Sequence, residues 1–210
     1  MSYEAVRKDY VKHTLEESDC LPDPIHMLED WLKEALKEME DANAMTLTTV
    51  NPDGFPESRV VLIRQLDQEG LVFYTNYDSA KGKDIAIHPK VGVNFFWPWL
   101  ERQVRVRGIA ERLSAEASDA YFNSRPRESQ LGAWASIQSE EMTTRDQLDK
   151  RLVECTERFK DQDVPRPPHW GGFRIKPQYF EFWQGRSNRL HDRIRYESVE
   201  GGWKLSRLFP

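Results

Sequence analysis

The pattern with the most chemical content lies near the carboxyl end of the chain, in the run Arg189-Leu190-His191-Asp192-Arg193. If this run forms a β-strand, its period of two places Arg189, His191 and Arg193 on one face. Two guanidinium groups flanking an imidazole suit an anionic or electron-rich ligand. The same pattern is typical of a solvated edge strand, and the residues alone leave both interpretations open.

A second group of donors follows a predicted helix and ends at Gln130. It contains one phenol, two guanidinium groups and two hydroxyls, from Tyr121, Ser124, Arg125, Arg127 and Ser129. Donors of these types commonly capture phosphate. An exposed turn between two helices is the competing interpretation, because an Arg-Pro-Arg sequence is common in such turns.

A third cationic pattern is the strand-like run RVVLIR, from Arg59 to Arg64. Positions 59 and 64 differ by five, so a regular strand sends the two side chains to opposite faces. Both can reach one ligand only through a bulge or at the end of the strand. Lys81 adds positive charge after the next strand, where an ordinary solvated helix start is the alternative.

Aromatic segments accompany these cations. Phe95-Phe96-Trp97 and the segment from Phe180 to Trp183 supply flat apolar surface, which is typical of a protein core as well as of a cofactor-binding wall. Gln103 offers both a donor and an acceptor from a predicted strand. Three cationic clusters with aromatic walls favour a phosphorylated aromatic cofactor and a phosphorylated aromatic substrate.

The composition and the absence of several motifs exclude some classes of function. Thirty basic and thirty-five acidic residues give a net charge of -5, so the chain lacks the positive field typical of nucleic-acid binders. GxGxxG, GxxxxGK[ST], HExxH and GxSxG motifs are absent, and the five histidines show no metal-ligand spacing, so no metal is predicted. No apolar run reaches about 18 residues, and the first residues lack an apolar signal core. We therefore expect a cytoplasmic protein without a membrane span.

The elements that must position these residues form an α+β pattern. We predict helices near 24–39, 81–87 and within 114–159, and strands near 44–50, 56–66, 71–75, 91–97, 103–113, 171–183, 189–197 and 203–208. The strands within 171–183 are two separate pieces, GGFRI and QYFEFW. Short connections favour antiparallel pairing, and barrel closure would remove exposed edges. Residues 1–20 are predicted as an arm or helix, and 21–210 as a single domain.

Seven strings occur in order along essentially the whole chain: RVVLIR, FYTN, ERQVRVRG, YFNSRPRESQLGAW, EFWQG, RLHDR and WKLSRLFP. Together they resemble the pyridoxine/pyridoxamine 5′-phosphate oxidase family. The resemblance implies a mainly antiparallel split β-barrel surrounded by helices, and a homodimer that holds FMN across the subunit interface. It also implies oxidation of pyridoxine or pyridoxamine 5′-phosphate to pyridoxal 5′-phosphate, with O2 as final acceptor and H2O2 as product.

The resemblance also implies a role for each matching residue. FMN would be bound by Arg59, Val60, Val61, Leu62, Ile63, Arg64, Tyr74, Thr75, Lys81, Gln103, Gln138, Ser139, Trp183 and Arg193. Substrate would be bound by Arg7, Lys8, Asp9, Tyr10, Arg64, Tyr121, Arg125, Ser129, Arg189, Leu190 and His191. Arg189 and His191 are the implied catalytic residues, beside the pyridine ring. Neighbouring arginines resist protonation of His191, which favours an orienting role for it.

Two positions depart from the family pattern. Arg64 stands where the family usually has lysine, and it replaces a point donor with a planar fork. Ala80 stands where the family usually has arginine, immediately before Lys81. A charge-assisted phosphate contact typically contributes about 1.5–3 kcal/mol. We therefore expect somewhat weaker FMN binding than the family pattern would provide.

Three other functions are compatible with parts of the pattern. A flavin oxidase of the phenazine-biosynthesis type would use the same scaffold, but its unphosphorylated substrate would leave Tyr121, Arg125 and Ser129 nothing to neutralise. A non-catalytic carrier of FMN or pyridoxal phosphate is a second alternative. A nucleic-acid-binding barrel is the third, and the acidic balance disfavours it.

Overall fold

The computed structural model describes residues 9–210, which form five α-helices and nine β-strands. The helices are α1 (Pro24–Glu38), α2 (Ala80–Ile87), α3 (Ala115–Asn123), α4 (Arg127–Ala135) and α5 (Arg145–Arg158). The strands are β1 (Ala44–Val50), β2 (Pro56–Leu62), β3 (Gln65–Asp67), β4 (Gly70–Asn76), β5 (Lys90–Trp97), β6 (Arg102–Arg112), β7 (Trp170–Gln184), β8 (Asp192–Val199) and β9 (Gly202–Arg207). None of these helices has the length and apolar character that a membrane crossing requires.

All strand pairs in the sheet are antiparallel, and the path runs β2-β1-β5-β6-β7-β4-β3. The long strand β7 has β6 along one edge. Along its other edge, β4 pairs with the first half of β7, up to Ile175, and β8 pairs with the second half, from Tyr179. Two different partners on one edge divide the curled sheet into a split barrel, and the predicted α+β, mainly antiparallel class is confirmed.

Proline 177 explains where this division falls. Proline has no backbone N–H to donate, so it is poorly tolerated where a strand is paired on both edges. Pro177 lies between the end of the β4 ladder and the start of the β8 ladder, and the β6 register shifts opposite it, between Arg107 and Gly108. The two strands predicted within 171–183 are therefore one continuous strand that changes partner at a proline.

Two further predictions about strands are wrong in detail. The strand predicted over 56–66 divides into β2, which ends at Leu62, and β3, which begins at Gln65. The strand predicted to include Arg189 and His191 begins only at Asp192. A 3-10 turn over Ser187–Arg189 precedes it, with positive φ at Asn188 and Arg189. The period-two argument that placed Arg189, His191 and Arg193 on one face therefore does not apply.

Helix α1 begins where the sequence predicts. The Asp23 side chain accepts a hydrogen bond from the Ile25 amide at 2.9 Å, and Pro24 occupies the first helical position. Ile25, Leu28 and Trp31 are buried on the face that contacts the sheet. The same local chemistry starts α2, where Ser79 is the N-cap residue and accepts from the Gly82 amide.

The apolar side chains form two clusters. The larger one fills the barrel and includes Leu47, Phe95, Phe173 and Phe182. The smaller one lies between helices α3 to α5 and the start of β7, and it consists of Phe122, Leu131, Phe159, Val164 and Trp170. The smaller cluster matters for function because it supports one wall of the cavity described below.

Replacing Leu47 with alanine is expected to lower the free energy of unfolding by about 2–5 kcal/mol, because Leu47 is fully buried in the barrel. The matched control is Leu36→Ala, at a position that is 45% exposed on α1, where a change within about 0.5 kcal/mol is expected. Equilibrium urea unfolding at one fixed protein concentration measures both. Equal effects of the two substitutions would contradict this account of the core.

Candidate active site

A cavity of about 660 Å³ opens between β2, β4, α2, α3, α4 and the start of β7. We call it the cationic cavity, because four of the side chains that line it are basic. Its lining residues are Arg59, Val60, Val61, Leu62, Arg64, Tyr74, Thr75, Asn76, Lys81, Tyr121, Arg125, Ser129, Gly132, Ala133, Ser136, Gln138 and Trp170. Twelve of them were predicted from the sequence, and the fold brings these twelve together.

Lys81 forms one end of the cationic cavity. Its side chain is buried, and Nζ donates to Thr75 Oγ1 at 3.2 Å and to Ser79 Oγ at 3.3 Å. Thr75 Oγ1 in turn donates to Gln138 Oε1 at 3.2 Å. Burial lowers the pKa of the Lys81 ammonium, the neighbouring Arg59 lowers it further, and Asp84 opposes both. A buried ammonium whose hydrogen-bond partners are neutral hydroxyls is stabilised by an incoming anion.

Arg59 lies beside Lys81 and is held by a buried pair of acceptors. Its Nη1 donates to Thr49 Oγ1 at 2.6 Å, and Thr49 Oγ1 donates to Asp84 Oδ2 at 2.7 Å. Asp84 also lies 3.9 Å from Arg59 Nη2. One buried carboxylate thus faces two cations. The exposed carboxylate of Glu57 lies 3.8 Å from Arg59 Nη2, where solvent screens its charge, so the buried groups at this end of the cavity carry more positive than negative charge.

Arg125 forms a second cationic end. Its guanidinium carbon lies 4.6 Å from the centroid of the Trp170 ring, in cation–π geometry. Among residues 9–210, the buried Nη1 atom has no hydrogen-bond partner. Burial lowers the pKa of Arg125, and the nearby Arg64 lowers it further. A buried donor that lacks an acceptor is energetically unfavourable, so an acceptor on a ligand would stabilise this atom.

Three aromatic rings lie nearly parallel along one wall of the cationic cavity. Tyr74 stacks on Tyr121 with ring centroids 3.8 Å apart, and Tyr74 and Trp170 have centroids 5.5 Å apart at 13°. Trp170 thus links the aromatic wall to the Arg125 guanidinium. The sequence analysis did not identify Trp170, Thr49, Ser79 or Asp84. An aspartate three residues after Lys81, within the helix predicted over 81–87, was the signal that could have revealed Asp84.

The interruption between β2 and β3 resolves the parity problem of Arg59 and Arg64. Because β2 ends at Leu62, the backbone is no longer a regular strand at Arg64. Both arginines therefore line the same cavity, as the sequence analysis allowed for a ligand at the end of the strand.

A separate group of rings, which we call the aromatic cluster, lies near the far end of β7 and consists of Tyr10, Trp183 and His191. The Trp183 and His191 rings have centroids 4.5 Å apart, and Tyr10 packs edge-on against both at 5.7 and 5.8 Å. None of the three lines the cationic cavity. In this chain, Trp170 and Trp183 are separated by thirteen residues of one strand, a contour of about 40 Å.

His191 is neutral in this arrangement. Its Nδ1 accepts a hydrogen bond from the Arg186 amide at 3.1 Å, so the ring proton is on Nε2. Burial lowers the pKa of His191 and the Arg189 guanidinium lowers it further, while Asp192 raises it. The orienting role favoured for His191 stays a prediction.

Gln103 and Arg193 flank Trp183 on neighbouring strands, in the register Gln103–Trp183–Arg193. The Arg193 guanidinium is held by the buried carboxylate of Glu181, which accepts from Nε and Nη2 at 2.9 Å each. Glu181 also accepts from the Tyr179 hydroxyl at 2.8 Å, and its negative charge helps to raise the pKa of Tyr179, after burial.

The remaining predicted residues lie outside both groups. Ile63 is buried in the barrel core, and Ser139 follows Gln138 with a positive φ of 74°. Asp9, Arg189 and Leu190 are exposed. Arg7 and Lys8 lie outside the described residues. The single-protomer structure therefore separates the predicted site into the cationic cavity and the aromatic cluster.

The cationic cavity and the aromatic cluster fall mostly within two segments that match family models of known proteins. Residues 32–159, which include most of the cationic cavity, match the family model described as pyridoxamine 5′-phosphate oxidase. Residues 170–210, which include Trp183 and His191, match the model described as the pyridoxine 5′-phosphate oxidase C-terminal dimerisation region. The chain belongs to the pyridoxamine 5′-phosphate oxidase family. The second match also supports homodimer formation.

Relatives in this family are similar over almost the whole chain. A pyridoxine/pyridoxamine 5′-phosphate oxidase of Rubrobacter xylanophilus is 50% identical over 206 residues, covering 98% of this chain and 95% of the relative. One of Gloeothece citriformis is 50% identical over 207 residues, covering 98% of this chain and 97% of the relative.

Solved structures show the same fold. PhzG from Burkholderia lata, in complex with tetrahydrophenazine-1-carboxylic acid, has a TM-score of 0.87 at 30% identity, covering 94% of this chain and 98% of that one. A pyridoxamine 5′-phosphate oxidase-related, FMN-binding protein from Nostoc punctiforme has a TM-score of 0.73 at 17% identity, covering 91% of this chain and 100% of that one. The second similarity concerns the fold alone.

Replacing Arg189 with alanine is expected to raise the pKa of His191, because removal of a neighbouring positive charge makes the imidazolium easier to form. Titration of the imidazole resonances of histidine-labelled protein by NMR measures this pKa. Lys150→Ala, which removes an exposed cation from α5, should leave the His191 pKa unchanged. An identical His191 pKa in wild type and Arg189→Ala would show that the guanidinium does not act on the ring.

Proposed function

We propose that this chain is an FMN-dependent oxidase that converts pyridoxine 5′-phosphate and pyridoxamine 5′-phosphate to pyridoxal 5′-phosphate. O2 is the electron acceptor and H2O2 the product, and the amine substrate also consumes water and releases ammonia. The observation that carries the proposal is the cationic cavity with two separate anion-binding ends, in a chain about 50% identical to relatives named for this reaction.

The FMN phosphate fits the end formed by Lys81 and Arg59. Two cations face one buried carboxylate, Asp84, and the exposed carboxylate of Glu57 compensates Arg59 only weakly because solvent screens it. Thr75 and Ser79 hold the Lys81 ammonium in place. The exposed edge of β2, with Val60 67% exposed, offers backbone groups and apolar surface for the rest of the cofactor. Gln138, hydrogen-bonded to Thr75, supplies a further polar group on the same wall.

The phosphate of the substrate fits the Arg125 end. The unpaired Nη1 atom supplies a buried donor, and the Tyr121 and Ser129 side chains line the same wall. Arg64 adds a second guanidinium, and its planar fork can bind two phosphate oxygens at once. The stacked wall of Tyr74, Tyr121 and Trp170 fixes the position of these donors, which reduces the entropy lost on binding.

The aromatic cluster is proposed to complete the site across a homodimer interface. Trp183, Arg189, His191 and Arg193 lie in the segment that matches a dimerisation region, and the Trp183 end of β7 lies far along the strand from the cationic cavity. A partner subunit would bring its aromatic cluster to this cavity, and two equivalent sites would form per dimer.

Bound FMN would accept two electrons from the substrate and pass them to O2. The residues of this chain would bind and orient the reactants. The two cationic ends hold the phosphates of cofactor and substrate, which places the rings between them. Neutral His191, fixed by the Arg186 amide, orients the pyridine ring, and Arg189 supplies positive charge beside it.

A phenazine-type oxidase is the second candidate, because the Burkholderia lata PhzG structure superposes well on this chain. A carboxylate could also accept from Arg125. The higher identity to relatives named pyridoxine/pyridoxamine 5′-phosphate oxidase favours the phosphorylated substrate, and so does the presence of two cationic ends.

Anaerobic addition of pyridoxamine 5′-phosphate to the FMN-loaded protein should bleach the flavin absorbance, and admission of O2 should restore it with one H2O2 per substrate. Unphosphorylated pyridoxamine is the control and should react poorly. Bleaching by tetrahydrophenazine-1-carboxylic acid but not by pyridoxamine 5′-phosphate would favour the second candidate. Bleaching by neither compound would indicate a carrier.

Replacing Arg125 with leucine should lower kcat/KM for pyridoxamine 5′-phosphate roughly tenfold to hundredfold, because one charge-assisted phosphate contact is lost. FMN affinity should stay the same, since Lys81 and Arg59 are intact. Arg145→Leu, at an exposed position on α5, is the matched control. Loss of FMN affinity in Arg125→Leu would mean that the two phosphate assignments are reversed.

Replacing Ala80 with arginine should tighten FMN binding by roughly tenfold to hundredfold, because it adds a cation beside Lys81. Ala80 is exposed at the first position of α2, so the longer side chain can be accommodated. Ala86→Arg adds the same charge at another exposed position of α2 and should leave the FMN dissociation constant unchanged. Equal constants in Ala80→Arg and wild type would refute the expected role of this departure.

A further inference from the structure

Glu101 is a buried acidic residue that begins the string ERQVRVRG but has no role in the predicted or the proposed site. It lies in the turn between β5 and β6, and only 2% of its surface is exposed. Its φ is +54°, in the left-handed region that residues other than glycine, asparagine and aspartate rarely adopt. A buried carboxylate on a strained backbone needs specific partners, since burial without them is unfavourable.

The partners of this carboxylate are backbone amides of the amino-terminal arm. Glu101 Oε2 accepts from the Val11 amide at 2.9 Å and from the Lys12 amide at 3.1 Å. The contact joins positions ninety residues apart in the chain. Residues 9–16 contain no helix or strand, so these amides have no partners within a regular element. The carboxylate therefore accepts the hydrogen bonds that a neighbouring strand would accept if the arm were part of a sheet.

The backbone of Glu101 holds the surface on which the arm lies. Its carbonyl accepts from the Gly185 amide at 2.8 Å and from Gln184 Nε2 at 3.2 Å. A Cβ atom at position 185 would lie 2.6 Å from Tyr10 Cγ, so glycine is required for Tyr10 to approach this closely. Glu101 thus binds the backbone of Val11 and Lys12 through its side chain. Its carbonyl binds Gly185 and Gln184, and Gly185 is the residue against which Tyr10 packs.

The residue positioned in this way is Tyr10, which packs edge-on against Trp183 and His191. A second attachment of the arm lies five residues further along, where Asp192 Oδ2 accepts from the Leu15 amide at 3.1 Å. Glu101 and Asp192 therefore hold the arm on either side of residues 13 and 14. The Glu101 attachment begins at Val11, directly after Tyr10, and Lys12 Nζ adds a hydrogen bond to the Trp99 carbonyl at 2.5 Å.

We infer that Glu101 is a positioning residue for the active site, which holds Tyr10 against His191 and Trp183 by binding the adjacent arm amides. The inference rests on the proposed function for its kinetic part only. Without the carboxylate, Tyr10 leaves the aromatic cluster, and His191 keeps the Arg186 amide and the Trp183 ring but loses its contact with Tyr10. Catalysis is then impaired while the cationic cavity is intact.

The first test measures the arm directly and needs no substrate. Hydrogen–deuterium exchange of the FMN-loaded protein should show that the Val11 and Lys12 amides exchange roughly tenfold to hundredfold faster in Glu101→Gly than in wild type, because charge-assisted hydrogen bonds are lost. Glycine suits the left-handed backbone, so the substitution removes the carboxylate without adding strain. Glu101→Gln retains an acceptor and should be intermediate. Glu111→Ala, at the other end of β6, is the control.

The second test asks whether Glu101 acts through Tyr10. Glu101→Gly and Tyr10→Ala should lower kcat/KM for pyridoxamine 5′-phosphate by similar factors, and the double variant should be no worse than either single one. The FMN dissociation constant should equal that of wild type in all three variants. A positioning role predicts this separation, whereas general destabilisation would weaken FMN binding as well.

Each outcome decides the inference. Unchanged exchange of Val11 and Lys12 in Glu101→Gly overturns it, and so do multiplicative kinetic losses in the double variant. Faster exchange with wild-type kinetics also overturns it, because the arm would then be attached without serving the site. If wild type itself does not oxidise pyridoxamine 5′-phosphate, the proposed function fails, and the exchange experiment still decides whether Glu101 holds the arm.

Discussion

The structure is organised around buried positive charge that the protein only partly neutralises. Lys81 and Arg59 share one buried carboxylate, Asp84, and Arg125 has a buried Nη1 atom that finds no acceptor within residues 9–210. Such an arrangement is unfavourable in isolation, because removing a cation from water requires compensation. Anionic ligands provide that compensation, so the stability of the cavity and its binding function are one property.

The barrel and the helix starts stabilise these buried cations with hydrogen bonds and ring contacts from well-ordered elements. Asp84 and Thr49 hold Arg59, hydroxyls of Thr75 and Ser79 hold Lys81, and the Trp170 face supports Arg125. These supports come from strands and from helix starts rather than from long loops. Ligand phosphates then meet donors whose geometry is already set, which reduces the entropy lost on binding.

Strand β7 connects this cavity to the rest of the proposed chemistry. It begins at Trp170 beneath Arg125 and ends next to Trp183 in the aromatic cluster, and Pro177 marks the change of partner between them. One strand thus contributes to two half-sites that a single protomer keeps apart. A homodimer is the simplest way to join them, and Glu101 prepares one half by holding the arm over it.

Local chemistry in the sequence determined much of this protein. Capping residues set the start of α1, strand periodicity predicted most of the antiparallel sheet, and the ordered strings predicted the family and twelve residues of the cavity. Other features depended on contacts between distant positions. The 3-10 turn before Asp192, the continuous β7, and the roles of Trp170 and Asp84 all follow from which elements pack together. Glu101 is the clearest case. The sequence presents it as an ordinary acidic residue in a turn, and nothing in the sequence indicates a partner ninety residues away. Only the fold places the amides of the arm against its carboxylate.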